Sequence, residues 1–457
     1  MKSTAEALGH EPMRRLMLRM TTPAIVALLV QALYNVVDTI FVGHGVGPLG
    51  IAGIGVAFPA FLVVIGLGQL IGIGSASIIS RALGRRDMET AERALGNALF
   101  LVGTFGFALV LIGALLSGPL MRLCGATEGI FPHALAYVSI VLCGGFTFSL
   151  SFTLSAIVRA EGDALRATVP ILCSGILNIA LDPLFIFGFH MGTAGAAWAT
   201  VIAQGIGGIY LVWHVLGGRG TVRLHLRNVR LRLSIAKEAL AVGTSSFIRT
   251  IAASLSIIVM NRLLGFYGGD LSIAIYSVVN RLLSFARMPV FGVVDGSQPI
   301  FGYNYGAHRY DRVESAIWHA LSFAGIACAL FWAIFLLFPG SFLAMFSSEA
   351  ELVAQGIPAL RWIVLLIPLF AVQAIVGGLY QALGRATQAL AVSLLRDVAL
   401  VIPCAILLSR FFETTGVWAA ASTSDLLSAL VVLPMLIHEV QRLRRKHGLA
   451  RQPTSAG

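Results

Sequence analysis

About twelve stretches of 20 or more mostly apolar residues follow one another along the chain, separated only by short polar breaks, which leaves few folds open. Inside a bilayer every backbone donor and acceptor must find a partner within the protein, and an α-helix achieves this segment by segment. The stretches run approximately 19–43, 51–80, 95–118, 134–158, 168–189, 194–217, 238–265, 272–301, 316–338, 354–383, 389–409 and 415–438. Only 12% of the residues are charged, against roughly a quarter in soluble domains. The chain therefore reads as an all-α integral membrane protein of twelve transmembrane helices.

A net charge of +11 would suit nucleic acid or an anionic surface if it were evenly spread. It is not. Basic residues gather before span one (Arg14, Arg15, Arg19), after span two (Arg81, Arg85, Arg86) and after span four (Arg159, Arg166). They gather again between spans six and seven (Arg219, Arg223, Arg227, Arg230, Arg232, Lys237), after span eight (Arg309, Arg312) and after span twelve (Arg442, Arg444, Arg445, Lys446). Every second connection is basic, so by the positive-inside rule these connections and both termini are cytoplasmic. This predicts a multi-pass protein of a bacterial plasma (inner) membrane, with lipid around it and no nucleic-acid partner. The first apolar stretch has full span length, so no secretory cleavage is expected. The five cysteines, Cys124, Cys143, Cys173, Cys328 and Cys404, lie mostly within or at the ends of spans and read as small packing residues, with no disulfide framework or structural metal site.

The second half of the chain repeats the first. Ala82-Leu83-Gly84-Arg85-Arg86-Asp87 answers Asn304-Tyr305-Gly306-Ala307-His308-Arg309-Tyr310-Asp311, with Gly84 on Gly306. Arg159-Ala160-Glu161-Gly162 answers Gln381-Ala382-Leu383-Gly384, and Thr193-Ala194-Gly195-Ala196-Ala197-Trp198 answers Thr415-Gly416-Val417-Trp418, one residue out of step. Six spans per half give both halves the same orientation, so a pseudo-two-fold axis along the membrane normal is expected, with sites at the repeat interface. The expected divisions are a first lobe over 1–218, a basic linker over 219–233, a second lobe over 234–441 and a basic, unstructured tail over 442–457.

Against this apolar background two carboxylates stand out, because a charged side chain at membrane depth is costly and marks function by default. Gln31, Tyr34, Asn35 and Asp38 line one face of span one, and Asp38 lies about 28 Å along the helix from Arg19. Ser174, Asn178 and Asp182 share one face of span five, with Asp182 about 24 Å from Arg166, a similar depth. Pro183 removes a backbone donor and leaves the Ile179 carbonyl without its usual partner, an oxygen-rich spot beside a carboxylate. The plainer readings are a helix cap for Asp38 and an Asp-Pro turn for Asp182. Thr200 and Gln204 share a face of span six at matching depth, where such residues also serve simply to join helices. Gly68 and Gly72 predict a close helix crossing. In the second half Arg249, Arg281, Arg287, Asp295, Arg396, Asp397 and Asp425 are expected mostly to pair with one another or to lie near the inner face. Asp38 maps near Met260 and Asp182 near Cys404, so the acid pair is not duplicated.

Tyr34 before Asp38, Pro23 before both, Asn178 before Asp182-Pro183, Asn35-Val36-Val37-Asp38-Thr39-Ile40-Phe41-Val42-Gly43, and Gln298-Pro299 with Asn304-Tyr305-Gly306 resemble the MATE (multidrug and toxic compound extrusion) transporters. The resemblance covers all twelve spans. It implies two six-helix lobes forming a V and efflux of amphipathic, often cationic, xenobiotics in exchange for protons or sodium, with no cofactor beyond that ion. It further implies that Asp38, Asn178, Asp182 and Thr200, with Tyr34 beside them, form the ion-coupling site, where Na+ would meet Asp38, Asn178, Asp182 and Thr200. Ser155 departs from the asparagine frequent in this network. Arg249 and Gln373 stand where one branch of the family carries acids in spans seven and ten, so the pattern resembles the DinF-type branch and places coupling in the first lobe. The expected substrate path adds Gln31, Asn35, Gln69, Ser155, Gln204, Arg249, Arg281 and Asp295, and a monomer is expected. A lipid-linked oligosaccharide flippase of the same superfamily is the rival, since Arg249, Arg281 and Arg287 would suit pyrophosphate. An intramembrane enzyme would need a convergent catalytic constellation, which the sequence lacks.

Overall fold

In a computed structural model of the chain, residues 4–346 and 350–451 are described, without the side chains of Asn35, Pro48, Asp270 and residues 449–451. Helices α1 (Thr4–His10), α2 (Met13–Gly45), α3 (Pro48–Gly84) and α4 (Met88–Leu123) are followed by α5 (Phe131–Cys143) and α6 (Gly145–Ala160), one span bent by 48°. Then come α7 (Ala164–Pro183), which passes into a π turn over Leu184–Gly188 just past Pro183, and α8 (Gly192–Leu216). Helix α9 (Leu233–Gly306) breaks at Gly269 into two spans, Leu233–Gly269 and Leu271–Gly306. Helix α10 (Tyr310–Leu337), the short α11 (Pro339–Ala344), and α12 (Ala350–Val364) bent by 44° against α13 (Ile367–Ala382) follow. The last stretch is α14 (Ala386–Leu394), a π turn over Leu395–Leu400 and α15 (Val401–Arg451). Glu413 breaks α15 with a φ of 48°, so the described residues make twelve spans in two six-helix lobes.

The turns carry the repeat. Positive φ occurs at Gly47 and Gly269, at Arg86 and His308, and at Gly162 and Gly384, each pair equally far apart along the chain, with His190 and Glu413 one residue out of step. The backbone thus reverses at matching points of both halves. Helix starts differ in detail: Asp87 caps α4 by accepting from the Thr90 N–H at 3.0 Å, and Asp163 caps α7 by accepting from Arg166 N–H at 3.1 Å.

Gly68 and Gly72 do form a close crossing, since a Cβ on them would lie 3.2 Å from Phe152 Cβ and 3.1 Å from Thr153 Cα of α6. Between the lobes the contacts are tighter still. A Cβ on Gly74 would run into Ala239, one on Gly243 into Leu70, and those on Gly84 and Gly306 into the backbones of Tyr303 and Arg81. A Cβ on Gly296 would lie 2.7 Å from both Met20 O and Thr21 Cα. All of these sit in the half of their span nearest the basic connections, which we call the basic end.

At the same end α1 docks on the second lobe. Its last carbonyls are held there: Asn304 Nδ2 donates to Leu8 O at 3.0 Å, and Arg312 donates to Glu11 O at 2.7 Å. Leu8, Met13, Leu16, Met17 and Met20 accordingly join the second lobe's apolar core. Over 442–451 the tail departs from the unstructured reading, because α15 stays helical to Arg451, and 452–457 lie outside the described residues. Arg444 meets Glu314 at 3.0 Å and Lys446 Nζ meets the Tyr305 hydroxyl at 3.1 Å, contacts that anchor the basic end of α15 to its own lobe.

Candidate functional site

The register of three helices decides which polar residues meet. Helices α2 and α7 run parallel: a Cβ on Gly175 would lie 3.4 Å from Tyr34 Cδ1, and one on Gly45 would lie 2.9 Å from Phe187 in the π turn. Asp38 therefore falls level with Asn178 and Asp182. Helices α7 and α8 run antiparallel, held by Ser174 Oγ donating to Ala203 O at 2.8 Å and by the close approach of Gly195 to Phe185. That register brings Thr200 level with Asn178.

Every member of this group is buried. Asp182 is 0% exposed, Asn178 1%, Tyr34 4%, and Asp38 and Thr200 8% each. Asn178 Nδ2 donates to Asp182 Oδ1 at 3.0 Å. Tyr34 is within hydrogen-bonding reach of Gln31 and Gln204 and lies beside both carboxylates. The Thr200 hydroxyl donates to Ala196 O at 3.1 Å, within its own helix. Three oxygens, Asp38 Oδ1, Asn178 Oδ1 and Asp182 Oδ2, are buried and accept no hydrogen bond among the described residues. Two carboxylates with orphaned oxygens and no basic partner form a place that favours a proton or a hard cation, which prefers oxygen ligands. The described residues contain no group of three or more His, Cys, Asp or Glu able to hold a metal ion, so Asn178 and Thr200 would have to complete any such shell.

Tyr137 of α5 was not foreseen. It is buried within electrostatic reach of Asp38, Tyr34 and Asp182, and a single tyrosine in an apolar stretch gives no sequence signal of this. Among the residues expected on the substrate path, Gln31, Ser155, Gln204 and Asp295 line one cavity of about 580 Å³ beside the carboxylate group. Ser155 Oγ donates to Ala167 O at 2.7 Å, so the serine joins α6 to α7 and lines the cavity rather than replacing an amide ligand. Gln69 meets Thr250 across the lobes at 3.3 Å. The backbone of Asn35 belongs to α2, but its side chain lies outside the described residues.

The second-lobe charges depart from mutual pairing. Arg396 meets Asp425 at 2.5 Å and Asp397 at 2.7 Å, as expected. Asp295 instead pairs with Arg159 of the first lobe at 3.1 Å. Arg159 and Asp295 both line the 580 Å³ cavity and a second one of about 420 Å³ nearer the basic end, so their bridge stands between the two. Arg249 and Arg287 form no ion pair among the described residues and sit over the rings of Phe291 and Phe370, while Arg281 is exposed apart from them. Hydropathy marks such residues as charged but does not show which neighbour each one faces.

Known proteins resemble the chain in sequence and in fold. The multidrug export protein MepA of Staphylococcus aureus (strain MSSA476) is 24% identical over 430 residues, spanning 93% of this chain and 94% of that protein. MepA of Staphylococcus saprophyticus is 25% identical over 423 residues, spanning 92% and 93%. The outward-facing structure of a multidrug resistance MATE family transporter of the MOP superfamily matches with a TM-score of 0.92 at 25% identity, covering 97% of this chain and 99% of that one. The MatE family model matches twice, over residues 23–184 and 246–407, once in each lobe. The chain belongs to the MatE family, the MATE transporters.

Proposed function

We propose that the chain is a secondary active multidrug efflux transporter. It exchanges amphipathic, often cationic, organic compounds for protons or sodium by alternating access, and the ion acts in the first lobe. The observation that carries this reading is the buried pair Asp38 and Asp182, each with an oxygen that accepts no hydrogen bond among the described residues, where the matching positions of the second half are Met260 and Cys404. The curated MepA relatives, named as multidrug export proteins, support the substrate class.

In this mechanism a proton on either carboxylate removes a charge from a buried group, and desolvation makes that exchange favourable. Sodium would instead draw Asp38, Asp182, Asn178 and Thr200 inward as oxygen ligands. Either ion drives the cycle only by binding one conformation more tightly than the other. Pro183 and the π turn after it form the jointed end of α7 on which that difference acts. With the basic end cytoplasmic, the interlobe contacts described above close the inner side, which corresponds to an outward-facing state. The coupling residues lie in the outer half, and Tyr34 links them through Gln31 and Gln204 to the 580 Å³ cavity.

The test is dye efflux in proteoliposomes under an imposed proton gradient and, separately, an imposed sodium gradient. Asp38→Asn and Asp182→Asn should each abolish the ion-driven flux while the protein remains folded. Full flux in both variants refutes the assignment.

A further inference from the structure

Three arginines meet near the middle of the second lobe: Arg249 in span seven, Arg287 in span eight and Arg396 in span eleven. Arg396 is satisfied by Asp425 and Asp397, and it takes up both carboxylates. Arg249 lies within electrostatic reach of Asp295, which Arg159 already pairs, and of Asp397, and Arg287 of Asp397 and Asp425, yet neither arginine forms an ion pair or hydrogen bond among the described residues. Arg287 Nε is buried without a partner. Counting Arg159, Arg249, Arg287 and Arg396 against Asp295, Asp397 and Asp425, the group carries one more positive charge than negative.

Aromatic rings hold it together. Arg249 lies 5.1 Å from the Phe291 ring centre, Arg287 5.1 Å and Arg396 5.3 Å from that of Phe370, and the two rings meet edge to face at 5.7 Å. Ring faces offset only part of the cost of a surplus charge at membrane depth, which is normally balanced by an anion. Arg287, Phe291 and Asp295 recur every four residues, so they share one face of span eight, and Asp295 lines both interlobe cavities. The arginine group thus lies two helical steps of four residues along span eight from the residue that lines both cavities.

We propose that Arg249 and Arg287, on the platform of Phe291 and Phe370, form a binding site for the carboxylate of an amphipathic aromatic substrate. Their planar forks suit two carboxylate oxygens, and the rings suit an aromatic body. This rests on the export reading above and adds a substrate class to it: the first lobe takes the cation and the second takes an organic anion.

Isothermal titration of the full chain in phosphatidylcholine nanodiscs, comparing 2-naphthoate with the uncharged 2-naphthamide, tests it. The carboxylate should bind about tenfold tighter, a preference that charge-assisted pairs of this kind supply. Arg287→Gln and Arg249→Gln should each remove most of it, and Arg287→Lys should keep only part. Equal affinities of the wild-type chain for the two probes overturn the proposal, whatever becomes of the variants. In nanodiscs containing phosphatidylglycerol the preference should persist; its disappearance there makes a lipid headgroup the occupant and also overturns the proposal. Because binding is read without transport, ion-driven flux with equal probe affinities defeats this inference alone. A retained preference without flux counts against the export reading alone.

Discussion

Replacing Gly296 by alanine should push the lobes apart at the basic end. A Cβ there would lie 2.7 Å from both Met20 O and Thr21 Cα, where carbon contacts settle near about 3.5–4.0 Å. Spans one and eight must therefore separate by about 1 Å to admit one methyl group. Forcing a methyl into a filled contact costs about 1–3 kcal/mol. Alanine also favours helix over glycine, but that gain applies to every conformation and cancels in the balance between them. The clash exists only while the lobes are closed at the basic end. It should shift the conformational equilibrium roughly fivefold to 150-fold toward the opposite state, at about 1.4 kcal/mol per tenfold. Spin labels at Leu123→Cys and Phe338→Cys, at the far ends of spans three and nine in a background lacking the native cysteines, would report the change by electron–electron resonance. The label distance should shorten as the far ends approach. Gly325→Ala, where a Cβ meets nothing within 4 Å, is the control. A folded Gly296→Ala protein with an unchanged distance distribution would refute the argument that this contact holds the observed state.

Arg159→Gln and Asp295→Asn should each weaken the closed basic end by up to about 1 kcal/mol, because their bridge is partly solvated. The double variant should do no more than either single one, read with the same labels; additive shifts would mean the two do not act as a pair. Asp425→Asn leaves Arg396 short of a partner and should lower the thermal unfolding midpoint, with a cost of about 3–5 kcal/mol for breaking a buried pair, while ion dependence is kept. Glu161 fixes the linker to the first lobe by accepting from the Thr221 N–H at 2.6 Å. Burial pushes its carboxyl up to about 7, against the pull of the Thr221 and Val222 N–H groups. A raised folded-state value means that its contribution is fully present below the ordinary carboxylate range and is lost as pH rises through about 7. Hydrogen exchange at residues 219–224, corrected for its intrinsic pH dependence, should thus speed up between pH 5 and 8 in the wild type, with no such rise in Glu161→Gln.

Apolar run length was enough to determine the membrane class and the number of spans, since the bilayer accepts only helices of a certain length. Turn residues revealed the repeat, because glycines such as Gly162 and Gly384 occupy backbone conformations that other residues rarely adopt. Asp38 and Asp182 were legible as candidates for the opposite reason: a charge in an apolar stretch is costly enough to stand out unaided. Their neighbours were less legible. Tyr137 came within reach of the group only through the packing of α5 beside the other helices, and Arg159 found Asp295 across the lobes rather than a partner in its own. Arg249 and Arg287 carry the same charge as Arg396, and only the fold gave Arg396 two carboxylates and left the others against rings. Helical periodicity assigns a residue to a face of its own helix. What that face meets depends on rotation and register between helices, set by close glycine contacts and by side-chain bonds to a neighbour's backbone, and these exist only once the helices have assembled.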